Sequence, residues 1–443
     1  MKKQLFIKNV IILSLSSLII RAIGMAFGVR AASVMGAEML GRYRLTVSLY
    51  AFFFLLVTSG LSVTATRLAG DFLAAGECRK ASYIRDKTIL FGFLSGTILC
   101  GGMILLSFFL PTGFLGQGSV GAVRILALSL PFAAFSAALR GYFTAKRCIL
   151  RTAAEQLLEQ LSEITVFFAA FDYLEPAGIS PLLCAALATT CAEVISFIYC
   201  IILWIADRRT TEPPEKVTQL FRLASPIAVP CTASAGLRSA LSAVENSLIP
   251  AGLMLCGADQ ENALAEYGII SGMALPCVLF PSVLIIPFSQ LIVTELSREN
   301  ALGHHKSIMR ISKKMLKVTI AYSLITTLPF LFFSEIIASA LGFPSKAAFF
   351  IRVLAPLIPL SYLDSAVDGM LKGLDCQKSY FHINMIESVL RVIMALTLIP
   401  LYGAAGVIAI ILFGELINVT LSLWKLLSVV NKCDLNYLTP ESC

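Results

Sequence analysis

The sequence predicts an all-helical protein that crosses a membrane about twelve times, and three observations predict it. The chain has 443 residues, 57% of them apolar and only 14% charged, with a mean hydropathy of +0.83. Soluble domains average about 45–50% apolar and about 25% charged residues, so these charges are too few to coat a water-soluble globule. The apolar residues also fall in continuous runs, each near the length of about 20 residues that spans the hydrocarbon core. Finally, the runs lack the alternation over about ten residues that marks the strands of a membrane barrel.

The runs lie near 7–29, 45–66, 88–110, 120–140, 152–171, 180–206, 218–253, 267–294, 315–334, 349–371, 381–399 and 404–430. The first follows Met1-Lys2-Lys3 in the manner of a secretory signal. Signal cores run only about 7–15 residues, whereas this run passes Arg21 and reaches Gly24 and Phe27 without a cleavage context, so it reads as a retained span. The second run ends at Arg67, and the third opens after Arg79, Lys80, Arg85 and Lys87. Arg140 closes the fourth; Lys146, Arg147 and Arg151 precede the fifth; Arg208 and Arg209 close the sixth. The seventh contains Pro226 and Pro230, which predict a kink. The eighth contains Pro276 and Pro281, and the ninth follows the basic stretch His304–Lys317. Lys372 and Lys378 lie between the tenth and eleventh, and Lys425 and Lys432 mark the end of the twelfth.

These cations fall on alternate connections, whereas 111–119, 172–179, 257–266 and 400–403 contain no Lys or Arg. Cytoplasmic loops carry the excess of positive charge, so both termini are expected in the cytoplasm. The net charge of +8 is thereby assigned to membrane topology, without a nucleic-acid partner, and the basic stretch at 304–317 is expected against anionic membrane lipids. The twelve cysteines form no CxxC, so neither a disulfide framework, a zinc site nor any other cofactor is expected. His304 and His305 read as solvated loop residues.

The chain repeats itself. Leu139-Arg140-Gly141 is followed by Lys146 and by Glu155 and Glu159, and Leu371-Lys372-Gly373 by Lys378 and by Glu387 and Arg391. The copies span the fourth and fifth runs and the tenth and eleventh, which predicts two six-helix halves, 1–206 and 218–443, joined by a polar cytoplasmic linker at 207–217. Six is even, so the halves are parallel repeats, an arrangement of transporters whose substrate site lies near the midplane.

Several segments also carry a family resemblance: Leu18-Ile-Ile-Arg21-Ala-Ile-Gly24, Met35-Gly36-Ala37-Glu38-Met-Leu-Gly41-Arg-Tyr43, Thr58-Ser59-Gly60-Leu61, Thr66-Arg67-Leu68, Arg140-Gly141-Tyr142-Phe143 and Pro400-Leu-Tyr-Gly403-Ala-Ala-Gly406. Together they resemble the stage V sporulation protein B-like and polysaccharide-export branch of the multidrug/oligosaccharidyl-lipid/polysaccharide (MOP) flippase superfamily. The resemblance implies a MATE/MOP-like fold in a bacterial cytoplasmic membrane. It implies translocation of a polyprenyl pyrophosphate-linked oligosaccharide or peptidoglycan precursor by alternating access, with glycosyltransferases or envelope-assembly proteins as partners.

Charges inside a bilayer cost about 2.5–3.5 kcal/mol each on insertion scales, so those within the runs are the candidate site residues. Arg21 lies about 20 Å into the first run. It reads either as an anchor for the pyrophosphate, since a guanidinium forks onto phosphate oxygens, or as half of an ion pair. Arg238 and Glu245, seven apart in the seventh run, share a face; Arg238 is expected to line the cavity with Arg21, and Arg30 and Arg391 to add positive potential. Glu155, Glu159 and Glu163 form one stripe and, with Glu245 and Glu387, read either as ion-coupling sites or as partners for Arg391 and other cations. The carboxylate stripe keeps open a proton- or sodium-coupled exporter of organic cations; a non-transporting scaffold would need a sizeable docking surface, which the short loops do not offer. No GxxxxGK[ST], HExxH or GxSxG motif is present, so no enzyme is expected.

Overall fold

The computed structural model describes residues 18–109, 118–210 and 213–438 apart from Arg21 and Met25, and these are almost wholly helical. The start of the first apolar run, up to residue 17, lies outside the described residues. In chain order the helices are α1 (Leu18–Met35), α2 (Ala37–Ala74), α3 (Cys78–Phe109), α4 (Ser119–Ala127), α5 (Leu130–Ala145), α6 (Ile149–Leu174), α7 (Pro181–Thr210) and α8 (Leu220–Leu255). There follow α9 (Gln260–Tyr267), a π-helical turn at Gly268–Ala274, α10 (Leu275–Leu279), α11 (Ser282–Ala301), α12 (His305–Phe332) and α13 (Ser334–Ala340). The last four are α14 (Ser345–Leu354), α15 (Leu357–Gly373), α16 (Gln377–Tyr402) and α17 (Ala404–Leu438).

Nine of the described helices are long and apolar enough to cross a membrane, and two bent pairs bring the number to 11. α6 is 26 residues long and carries carboxylates at 155, 159, 163 and 172. The breaks fall at prolines, which cannot donate to the helical ladder and collide with the carbonyl four residues back. The fourth run bends by 41° between α4 and α5, ahead of Pro131, and the tenth by 51° between α14 and α15, at Pro356. The eighth run, expected as one helix, is interrupted by the π turn and again at Phe280–Pro281. In the seventh, α8 continues through Pro226, Pro230 and Pro250.

The contacts divide the chain into two compact units, 1–27 with 42–246 and 28–41 with 247–443. The boundary lies within α8 rather than in the 207–217 segment, which belongs to the first unit. The backbone N–H of Glu215 bonds the Arg79 carbonyl there, and Arg79 Nε donates to Pro213 O.

Each unit builds its bundle in the same way. In the first, α3 and α7 pack on α5, and α6 pairs with α7; in the second, α12 and α17 pack on α15, and α16 pairs with α17. The repeated glycines hold equivalent positions. Thr66 Oγ1 on α2 donates to Gly141 O at 3.0 Å, and Ser297 Oγ on α11 donates to Gly373 O at 3.1 Å. A Cβ on Gly141 would overlap Ser62 O, and one on Gly373 would meet Val293 O and Leu296 Cβ, so only glycine lets these helices meet backbone to backbone.

A second duplication accompanies the bends. Arg124-Ile-Leu126-Ala127 precedes Pro131, and Arg352-Val-Leu354-Ala355 precedes Pro359, with the same spacing. Each arginine Nε donates to a serine near the preceding helix end, Arg124 to Ser107 at 3.0 Å and Arg352 to Ser334 at 3.1 Å.

Within the second unit, Gly268 in the π turn would place a Cβ on the Ala37 carbonyl. Neither backbone can yield without moving a helix, so Gly268→Ala is expected to lower the monodisperse fraction in size-exclusion chromatography, and a wild-type profile would refute this close approach.

Candidate functional site

Each unit buries a charge cluster beside its repeated glycine. In the first, α6 and α7 bring Glu155, Glu159, Glu163 and Glu193 towards Arg140 at the end of α5. Arg140 Nη2 lies 2.8 Å from Glu155 Oε1 and 3.4 Å from Glu159 Oε2. Ser196 Oγ donates to Glu155 at 2.7 Å; Glu163 accepts from Thr189 Oγ1 at 3.0 Å. Glu193 is 5% exposed, lies within electrostatic reach of Arg140 and the other three carboxylates, and its Oε2 has no hydrogen-bond partner among the described residues. Among the described residues, one guanidinium therefore faces four carboxyl groups.

The second unit reverses the helix that carries the cation. Arg391 Nε on α16 lies 2.8 Å from Glu387 Oε1, one turn back, and Nη2 lies 3.2 Å from Glu415 Oε2 on α17. Gly414 leaves the space that the guanidinium occupies, since a Cβ there would press on Arg391 Cγ, Cδ and Nε. Lys372 lies 3.9 Å from Asp368 on α15, and Asp364 is within electrostatic reach of Asp368, Glu387 and Glu415. Among the described residues, carboxylates outnumber cations here too.

A third network closes the end of the first unit that the sequence assigns to the cytoplasm. Asp207 on α7 accepts from Arg85 Nη1 at 2.5 Å and from Lys146 Nζ at 2.6 Å, with Arg151 at 3.9 Å. Arg85, 1% exposed, also pairs with Asp86 at 2.8 Å, and Trp204 Nε1 donates to the same carboxylate. Burial works against charge on Lys146, but the hydrogen bond to Asp207 and the fields of Tyr142 and Asp207 outweigh it and raise its pKa above the ordinary lysine value. This network ties α3, α6 and α7 to the α5–α6 turn.

The sequence-stated residues are thus partly brought together. Glu155 and Glu159 meet at Arg140, which the sequence reading uses for topology and the internal repeat, and Glu387 meets Arg391. Arg391 pairs with carboxylates of its own unit. Arg238 on α8 and Arg30 on α1 are exposed and Glu245 is half-buried. Arg21 lies outside the described residues. Glu193 and Glu415, like Asp364 and Asp368, pose in the sequence the same question of ion coupling or structural pairing, and Asp207 reads there only as part of the polar linker.

With this geometry in view, a profile of the family described as polysaccharide biosynthesis protein matches residues 6–234. The chain belongs to that family. It is similar to stage V sporulation protein B of Bacillus subtilis (strain 168), 23% identical over 432 residues that cover 94% of this chain and 82% of the relative. It is also similar to sporulation protein YkvU of the same organism, 18% identical over 269 residues and 60% of each chain. Among solved structures it resembles a multidrug resistance MATE family transporter of the MOP superfamily in an inward-facing conformation, with TM-score 0.75, 14% identity and coverage of 97% of this chain and 99% of that one. A MOP superfamily transporter from Pyrococcus furiosus Vc1 (DSM3638) aligns with TM-score 0.68 and 14% identity, covering 98% and 97%. The fold is therefore that of MATE/MOP transporters, and the chain is a multi-span membrane protein.

Proposed function

We propose that this protein translocates a glycan precursor linked to polyprenyl pyrophosphate across the bacterial cytoplasmic membrane by alternating access of its two units. The observation that carries the reading is the polysaccharide biosynthesis match over residues 6–234 on a fold built of duplicated helical units. In this reading Arg21 and Arg238 hold the pyrophosphate, and Arg30 adds positive potential. Arg391, paired with Glu387 and Glu415, positions α16 against α17 and contributes less. Glu155, Glu159, Glu163 and Glu193 form the coupling group, taking up and releasing a proton or sodium ion as the unit opens to either side; Glu245 and Glu387 are secondary positions. Glycosyltransferases or envelope-assembly proteins would supply or receive the cargo.

Arg21→Ala and Arg238→Ala proteins are expected to insert normally and to lose most translocation of a lipid-linked glycan in liposomes. Losing a charge-assisted phosphate contact of about 1.5–3 kcal/mol corresponds to about a tenfold to hundredfold weaker hold. Full-rate translocation by both variants would remove the anchor roles.

The excess of carboxylates in both buried clusters favours one second reading, a cation-coupled exporter of organic cations. Growth in cationic dyes separates the two: protection that depends on Glu159 and Glu193 would support export, and dye sensitivity unchanged by deletion would sink it.

A further inference from the structure

A cup of about 690 Å³ in the second unit shares no residue with the charge clusters, and its volume falls within the range of small-molecule sites, about 300–1,000 Å³. It lies beyond the end of α12 opposite the basic stretch, which the charge pattern assigns to the outside. Two short helices wall it, each with one face. On α13 the lining residues are Glu335, Ala338 and Ser339, at i, i+3 and i+4. On α14 they are Ser345, Ala348, Phe349 and Arg352, at i, i+3, i+4 and i+7.

The local sequence sets the shape. Gly342, at φ 69°, ends α13 in the left-handed conformation that glycine tolerates, and the N–H of Phe343 bonds back to Ala338 O at 2.9 Å. Ala338, Phe343 and Ala348 are buried and make the floor, and the small side chains of the two alanines leave the room above it. Phe349, 60% exposed, adds an aromatic ring at the rim.

Opposite charges meet on the walls. Arg352 Nη2 lies 3.1 Å from Glu335 Oε1, and Arg352 Nε donates to Ser334 Oγ at 3.1 Å. The pair is balanced, so neither charge is left whole for an ionic ligand. The guanidinium nevertheless has more N–H groups, and the carboxylate more lone pairs, than these bonds use. Ser339 and Ser345 add hydroxyls that both donate and accept. A neutral sugar ring fits this set: its hydroxyls also donate and accept, and its C–H face can lie on Phe349. An anion would meet the Glu335 charge, an organic cation the Arg352 charge, and a lipid tail two polar walls.

We infer that this cup binds a neutral sugar ring of the translocated glycan at the outer face; the inference rests on the glycan-translocating reading above. A glycan held there must dissociate before it can return, which slows the reverse crossing.

The test titrates the full chain in detergent with three probes and reads binding by saturation-transfer NMR. They are the neutral disaccharide di-N-acetylchitobiose, phosphorylethanolamine, which carries both charges of a zwitterionic lipid headgroup, and inorganic phosphate. The disaccharide is expected to bind the wild type, and the other two are not. Phe349→Ala should weaken the disaccharide about two- to tenfold, the worth of one aromatic contact. Glu335→Gln should lose disaccharide binding and gain phosphate binding, because the Arg352 charge is then unbalanced; a merely structural Glu335 would give no such gain. Both side chains are exposed, so neither variant threatens the fold. Failure of the wild type to bind the disaccharide, disaccharide binding unchanged by either variant, or phosphorylethanolamine bound as tightly as the disaccharide would overturn the inference. Translocation of a lipid-linked glycan by the wild type, measured in parallel, tests the underlying reading separately: sugar binding without translocation sinks that reading and leaves the cup, and translocation without sugar binding does the reverse.

Discussion

Arg140→Ala is expected to lower the protein's stability in detergent by about 3–5 kcal/mol, the range found when one partner of a buried ion pair is removed. Glu155, 2% exposed, would lose its only ion-pair partner among the described residues, keeping Ser196 alone as a bond. Glu159, Glu163 and Glu193 would then crowd the same site without the Arg140 charge. A second substitution, Glu155→Gln, should recover much of the loss, because a neutral amide needs no cation. Unfolding followed by intrinsic fluorescence for the wild type, both single variants and the double gives the coupling directly. Additive losses would show that the pair does not hold α5 to α6.

Asp207→Asn is expected to be comparably damaging, by the same range of about 3–5 kcal/mol. This carboxylate, 2% exposed, is shared by Arg85, Lys146 and Arg151. Arg85 would retain Asp86, but the other two cations would face the guanidinium without the charge that gathers them. Loosening should appear at the α3, α7 and α5–α6 ends, as faster proteolysis there and a lower thermal midpoint. An unchanged midpoint with unchanged cleavage would mean that the network is replaceable by water.

How much of this was legible depends on distance along the chain. Apolar runs and loop cations respond to local composition, which is why the spans and the glycine repeat could be read directly. The breaks were half-legible: Pro131 and Pro356 were visible, but a proline in α8 leaves the helix continuous, so its effect depends on neighbours that a run of residues does not reveal. The Arg140–Glu155 pair was readable in principle. In an antiparallel helix hairpin, positions equidistant from the turn lie level, and Arg140 stands seven residues before Arg147 as Glu155 stands seven after Cys148. Arg391 and Glu415 likewise stand twelve residues either side of Gly403. The Arg85–Asp207 contact had no such signal, because 122 residues separate its partners.

The glycine contact separates what the two units share from what they do not. Thr66 reaches Gly141 across 75 residues and Ser297 reaches Gly373 across 76, so the same clamp of a hydroxyl on a glycine carbonyl recurs in both units. The charges beside it do not recur in the same place, with the guanidinium on α5 in one unit and on α16 in the other. A substitution in one cluster therefore leaves the clamp and the charges of the other unit in place.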